Sequence, residues 1–281
     1  KIIDKLRYEL PRGRPPGEDF VDPLLGKNKL DSWAIQGMYP SFNETEFSHF
    51  ETELSKLTDL FRYAQLIKEN NEQPVVFHEK AEIVIKAGRN PFAEKELKDQ
   101  IPNDSIFSFD VPLELLTGSN MSGKSFNEKV DIWAILKTMA TGFAPADEAR
   151  MPFMDKVIFF DRVTMRLMRT LSSWGTEVEF IKALYTAITE DGLIYVATDE
   201  IGSSTSPKYQ SAVAYAVSDL MIENGVFVSS ASHNHDYITN IMIAYPDRIK
   251  TYHFKSEPNE DGTLDYSYKK ESGHELSNAL A

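Results

Sequence analysis

The chain has 281 residues, 42% hydrophobic and 26% charged, with a formal net charge of -13 and no cysteine. This is globular composition with enough length to bury a sizeable core, and it excludes disulfides and cysteine-ligated zinc. An acidic chain is a poor candidate for tight DNA binding on its own, because that affinity comes largely from Lys and Arg neutralising phosphates.

No apolar run approaches the roughly 20 residues that a membrane-spanning helix needs. The opening "KIIDKLRYELPRGRPP" is charged and lacks the apolar centre of a secretory leader. Together with the missing cysteines, this makes a cytoplasmic chain the expectation, or a nuclear one in a eukaryote. The first residue is Lys1 rather than Met, so a fragment of a longer protein is expected.

Residues 1–42 are rich in Pro, Gly and charge and predict loops or a loosely ordered arm. Phe47, Phe50, Leu54, Leu57, Leu60, Phe61 and Ala64 recur at spacings of three and four and predict an amphipathic helix over about 44–70. Asn43 or Thr45 would cap its start. From residue 75 the character changes. "PVVF" and "AEIVIKAG" predict strands able to pair with each other, and "LELLT" at 113–117 predicts a buried strand. A helix of about fifteen residues is expected from Gly123 or Lys124, followed by an irregular stretch. Arg162, Arg166 and Arg169 are the candidate basic patch there, against the plainer reading of a solvated helix face.

A helix near 177–190, the apolar strand "LIYVAT" at 193–198, a helix near 207–223 and the strand "VFVSSAS" at 226–232 come next. Two short strands, "IKTYHF" and "LDYSYK", flank the turn signal "SEPNEDG". Strands alternating with helices imply an α/β fold with a mostly parallel sheet covered on both faces. The domains expected are 1–75, an arm and helical segment, and 76–281, the α/β part.

Residues 118–125 read "GSNMSGKS", which satisfies G-x-x-x-x-G-K-[ST] in full. Glycines at 118 and 123 permit backbone angles and close approach that a side chain would block. Successive N–H groups then form an anion cradle at a helix N-terminus. The predicted cradle comprises Gly118, Ser119, Asn120, Met121, Ser122, Gly123, Lys124, Ser125 and Phe126. Lys124 would reach the β- and γ-phosphates of ATP, and the Ser125 hydroxyl would complete a Mg2+ coordination sphere. The plainer reading is a glycine-rich turn that caps a helix and binds nothing.

The partner carboxylates stand at the end of "LIYVATDEIG". Asp199 would hold the metal and Glu200 would orient and deprotonate the attacking water; the plainer reading is an exposed acidic turn. His233 follows "VFVSSAS", at the sheet edge where ligands of open α/β sheets bind. It would sense the γ-phosphate or polarise the water, or else serve only as a hydrogen-bonded loop residue. His235 beside it invites a metal reading, but two histidines with no cysteine make that weak.

These segments together resemble the ATPase domain of MutS-type DNA mismatch-repair proteins. "LLTGSNMSGKS" is similar to that family's T-G-x-N-M-x-G-K-S, and "TDEIGSSTSP" to its D-E-[IL]-G-x-G-T-S-x. "IVIKAGRNPF", "SASHNHDYI" and "LDYSYKKESGHELSNAL" resemble its I-x-x-G-R-H-P opening, its strand-then-His segment and its closing L-x-Y-x-Y motif. The order agrees over about residues 80–281.

The resemblance implies a three-layer P-loop sandwich of the ABC type with an N-terminal helical appendage, the helix at 44–70 being the end of a lever. It implies a homodimer or heterodimer closing on ATP and Mg2+, with Asn120, Lys124, Ser125, Asp199, Glu200 and His233 in the site of one subunit. The partner's contribution would come from "LSSWGTEVEF", where the family reads S-T-F-x-x-E; Ser172, Ser173 and Thr176 are the candidates, with Glu179 in the glutamate's place. Ser204 stands where the family has glycine. DNA would be met through other domains or partners. Two other readings remain: a non-catalytic, nucleotide-gated scaffold in a DNA-processing complex, motivated by the altered partner segment, and a P-loop protein of another class.

Overall fold

A computed structural model of the chain describes residues 44–94, 100–119, 121–161, 172–258 and 264–274. The predicted arm over 1–42, the Asn43 cap, Asn120, the arginines Arg162, Arg166 and Arg169, and part of the "SEPNEDG" turn lie outside the described residues. The chain divides into two units between Gln65 and Leu66.

The described part of the first unit is a stretch of α1 (Glu44–Glu69), the helix expected over 44–70. Its apolar side chains at Phe50, Leu57, Leu60 and Phe61 are exposed. No helix among the described residues is long and apolar enough to cross a membrane.

In the second unit, β1 (Gln73–Pro74), β2 (Val76–Phe77), β3 (Glu82–Gly88), α2 (Pro91–Glu94) and β4 (Asn103–Ser108) precede β5 (Leu113–Gly118) and α3 (Lys124–Thr141). Then come β6 (Phe143–Ala144), β7 (Glu148–Met151), β8 (Lys156–Phe160), α4 (Ser173–Thr189), β9 (Ile194–Asp199) and α5 (Pro207–Glu223). The last elements are β10 (Phe227–Ala231), α6 (His235–Ala244), β11 (Ile249–Pro258) and β12 (Leu264–Ser272).

The main sheet has six strands in the order β12-β11-β5-β10-β9-β8. All neighbours run parallel except the β11–β12 pair. All positions of β5 are buried, as in a strand covered on both faces. Side chains alternate between two cores with the period of a strand. Leu113, Val196 and Val228 pack with Leu184 of α4, Met221 of α5 and Ile241 of α6. On the opposite face Tyr195, Ala197 and Phe227 pack with Ile135 of α3 and with Ile83 and Phe107 of a second sheet. That sheet has the order β2-β7-β3-β4.

The second sheet departs from the pairing expected for "PVVF" and "AEIVIKAG". The strands β2 and β3 do not pair with each other, because β7 lies between them. The intervening strand offers the better partner: Ala149 and Met151 alternate inward and join the apolar core, whereas both residues of β2 are exposed. The stretch expected to be irregular also holds β8, whose "KVIFF" completes the main sheet beside β9. The helix α6, unforeseen in sequence, starts where Asn234 accepts the Tyr237 N–H at 3.0 Å.

Candidate functional site

The strands β5, β9 and β10 are adjacent and parallel, so their C-terminal ends share one edge of the sheet. At that edge β5 passes into α3 through residues 119–123. Gly118 has φ 133 and Gly123 φ 111, in the region that favours glycine. At Gly118 a Cβ would lie 3.0 Å from both the Phe254 carbonyl and Ser122 Oγ. Gly123 is the N-cap of α3 and supplies no side-chain acceptor to the helix's first amides. Those donors suit an anion. Met121, with φ 67, is 83% exposed at the loop's tip, while Ser122 is buried and Phe126 half-buried.

Lys124 is 6% exposed, and its Nζ donates to the Gly118 and Ser119 carbonyls at 2.8 Å each. Burial lowers the affinity of this amine for its proton, and the charges of Glu200, Asp199 and Glu128 oppose that shift. Ser125 Oγ donates to Asp199 Oδ2 at 2.8 Å. Burial pushes the Asp199 carboxyl above its ordinary value; the Ser125 hydrogen bond pulls it back, and the charges of Glu200 and Asp161 raise it again.

Glu200 follows β9 with φ 55, a conformation that costs a non-glycine residue of order 1–3 kcal/mol and concentrates at functional sites. Its N–H donates to the Ala231 carbonyl at 2.9 Å, and its Oε1 lies 2.8 Å from His233 Nδ1. Lys124, Ser125 and Asp199 thus converge, and Glu200 meets His233 beside them. His235 is exposed in the first turn of α6, and no cluster of three or more metal-ligating side chains occurs among the described residues. The site offers a buried amine, helix-end amides without a side-chain cap and a hydroxyl–carboxylate pair, a donor set for a phosphate and a hard dication.

Residues 114–279, more than half of the chain, match the family described as MutS domain V. The chain belongs to the MutS family.

Among relatives named DNA mismatch repair protein MutS, the chain is 31% identical to that of Natronomonas pharaonis over 182 residues, which are 64% of this chain and 21% of the relative. It is 28% identical to that of a Geobacillus species over 223 residues, 78% of this chain and 25% of the relative. The Bacillus cereus ATCC 14579 protein matches at 28% over 283 residues, 95% of this chain and 32% of the relative. The chain therefore spans between a fifth and a third of the length of these MutS proteins.

In this MutS-family chain the structure corrects which glutamate the partner segment turns inward. Glu179 is exposed and pairs with Lys182 at 2.7 Å. Glu177 is the buried one: its two oxygens accept the N–H groups of Gly202 and Ser204, locking the loop after β9 onto α4. The signal was present, since S-T-F-x-x-E counted from Ser172 ends on Glu177. Ser172 Oγ accepts the Gly175 N–H at 3.1 Å as the cap of α4, and Thr176 Oγ1 donates to the Ser172 carbonyl at 3.1 Å. Ser173 opens the helix and is exposed.

A second group, Glu114, Asp131 and Lys270, is buried between β5, α3 and β12. Lys270 Nζ donates to Glu114 Oε2 and, at 2.8 Å, to the Asp104 carbonyl. It also stands 4.3 Å from the centre of the Tyr252 ring. Nothing in a single sequence distinguishes these charges from surface ones.

Proposed function

We propose that this chain is the ATPase part of a MutS-type protein. It binds ATP with Mg2+ and hydrolyses it in a nucleotide-dependent dimer, in the service of DNA mismatch repair or a related DNA transaction. The observation that carries the reading is the Ser125–Asp199 hydrogen bond, 2.8 Å across 74 positions of sequence. It sets the hydroxyl of a phosphate-loop motif against the acid at the end of β9, which lies next but one to β5 in the sheet. In this reading residues 76–281 form an ABC-type P-loop sandwich, and 1–75 are an arm and the end of a lever.

The residues present fit Mg2+, which takes oxygen ligands and keeps several waters. Ser125 Oγ and the Asp199 carboxylate would hold it, and a nearby dication would offset the burial that pushes the Asp199 carboxyl up. When bound, such an ion would supply charge neutralisation to the phosphates. Lys124 leaves the Gly118 and Ser119 carbonyls and turns its ammonium to the same phosphates. Backbone amides from Gly118 to Phe126, Asn120 included, cradle the triphosphate. Glu200 holds a water in line with the γ-phosphorus and takes its proton as the water oxygen bonds to phosphorus and the bridging oxygen leaves with ADP. His233, 2.8 Å from Glu200 Oε1, keeps that carboxylate aimed. Most of the acceleration is positioning and charge stabilisation.

The dimer partner, an identical or related subunit, would present its Ser172–Thr176 segment to the γ-phosphate. DNA contact is assigned to other domains or partners, no membrane is involved, and the location is cytoplasmic or, in a eukaryote, nuclear. The relatives' name, DNA mismatch repair protein MutS, supports the pathway.

One observation favours the second reading, a nucleotide-gated scaffold without turnover: the partner segment reads "SSWGTE" from Ser172, where the family has S-T-F-x-x-E. Phosphate release from the purified chain, with native mass spectra with and without ATP, decides between them. Lys124→Ala abolishes ATP binding. Glu200→Gln keeps binding and ATP-driven dimers but loses phosphate release, and wild-type turnover in this variant would remove Glu200 from the role.

A further inference from the structure

One turn beyond Ser125 on α3, Glu128 is completely buried, with 0% of its surface exposed. Its Oε1 accepts the N–H of Ala231 at 3.0 Å. Ala231 is the last residue of β10, also completely buried, and it stands in register with Asp199 on one side and Leu116 on the other. Its carbonyl accepts the N–H of Glu200 at 2.9 Å. The next residue, Ser232, donates its N–H to the Leu116 carbonyl at 3.0 Å, and His233 follows. A single residue, Ala231, therefore stands between the helix that carries Ser125 and the acid–histidine pair, its N–H bonded to Glu128 and its carbonyl to the Glu200 N–H.

The arrangement is more than a way to fill space. A buried backbone N–H needs an acceptor, and one oxygen suffices. A carboxyl brings a second, and Glu128 Oε2 is buried with no hydrogen-bond partner among the described residues, which is destabilising. Burial, and then the charge of Asp199, pushes the Glu128 carboxyl well above the usual carboxylate range. The Glu200 backbone that bonds to the same residue sits at φ 55 and holds only where its surroundings over-determine it.

We infer that Glu128 is a positioning residue: it ties the start of α3 to the end of β10 and, through Ala231, sets the Glu200 backbone so that the carboxylate meets His233. Its role in turnover rests on the ATPase reading above, whereas the hydrogen-bonded link itself does not.

The test uses the whole chain and three variants. Glu128→Met keeps the volume and removes the acceptor. Glu128→Asp keeps the polarity but withdraws the carboxyl by one methylene, and stands in if the methionine variant fails to fold. Glu128→Gln keeps an acceptor oxygen and is the rescue. In hydrogen exchange read by NMR, Met or Asp speeds exchange at the Ala231 and Glu200 amides by about tenfold or more, the scale of one lost buried hydrogen bond. The amides of β9 stay protected and Gln restores both sites. In phosphate release, Met or Asp lowers kcat by about tenfold while ATP affinity moves less than about threefold, the pattern of a lost transition-state alignment.

Unchanged exchange at Ala231 and Glu200 in a folded variant overturns the link. Affinity falling in step with kcat overturns the positioning role and leaves a plain packing residue. A wild-type chain without phosphate release fails the ATPase reading and the turnover role with it, while the exchange measurement still decides the link.

Discussion

Replacing Glu177 with alanine removes the acceptor for two backbone N–H groups, those of Gly202 and Ser204, the latter at 3.2 Å. The glutamate is wholly buried, so water does not take over as it would at the surface. Hydrogen bonds to a charged group contribute roughly 1.5–3 kcal/mol each, and a buried donor left unmet costs about 1–3 kcal/mol. Two such bonds, one part-buried, put the expected loss at about 3 kcal/mol. Glu177→Gln keeps one acceptor oxygen and offers an NH2 where a second acceptor is needed, so about half of that loss is expected.

Glycine at 202 sharpens the expectation. A Cβ there would lie 2.5 Å from the Gln210 carbonyl, so the loop has one tight path past α5 and nothing equivalent to fall back on. Urea denaturation gives the stability change directly, provided the slope with denaturant stays the same. Proteolysis between 200 and 206 reports local release. A Glu177→Ala loss below about 1 kcal/mol, with the loop still resistant, would show that the carboxylate does not latch it.

Asp131 makes folding pH-dependent. Burial first, then the charge of Glu114, pushes its carboxyl from the ordinary 3.8 up to about 7, against the pull of Lys270. The folded state therefore keeps a proton that the unfolded chain has lost, and its contribution to stability declines as pH rises from about 4 to about 7. At about 1.4 kcal/mol per pH unit this amounts to roughly 4 kcal/mol. Urea midpoints at pH 5 and pH 7.5 should differ by less in Asp131→Asn than in the parent, and an undiminished difference would exclude Asp131 as the source. Lys270→Met strands Glu114 without its cation and should cost about 3–5 kcal/mol, the scale for breaking a buried pair. The double variant Lys270→Met with Glu114→Gln should recover part of that loss, and no recovery would mean that the two groups act independently.

Much of the fold was legible because its signals are local. Strand, glycine turn and helix over 113–141 follow from an apolar run, two glycines with positive φ and a 3.6-residue period. The candidate residues at 199, 200 and 233 were found because apolar strands ended on them. The short strands β6, β7 and β8 were less visible. Runs of two to five residues carry little periodicity, and only the neighbour supplied by the fold makes them strands.

By itself the sequence determined which segments would be strands and helices around the 118–125 loop, because backbone angles and hydrophobic spacing are properties of neighbouring residues. Tertiary structure decided that β7 lies between β2 and β3 and that Glu177 rather than Glu179 is buried. It also turned Glu128, Glu114, Asp131 and Lys270 inward. A charge is buried only where a distant chain segment brings the matching donor or acceptor, and no window of sequence contains both.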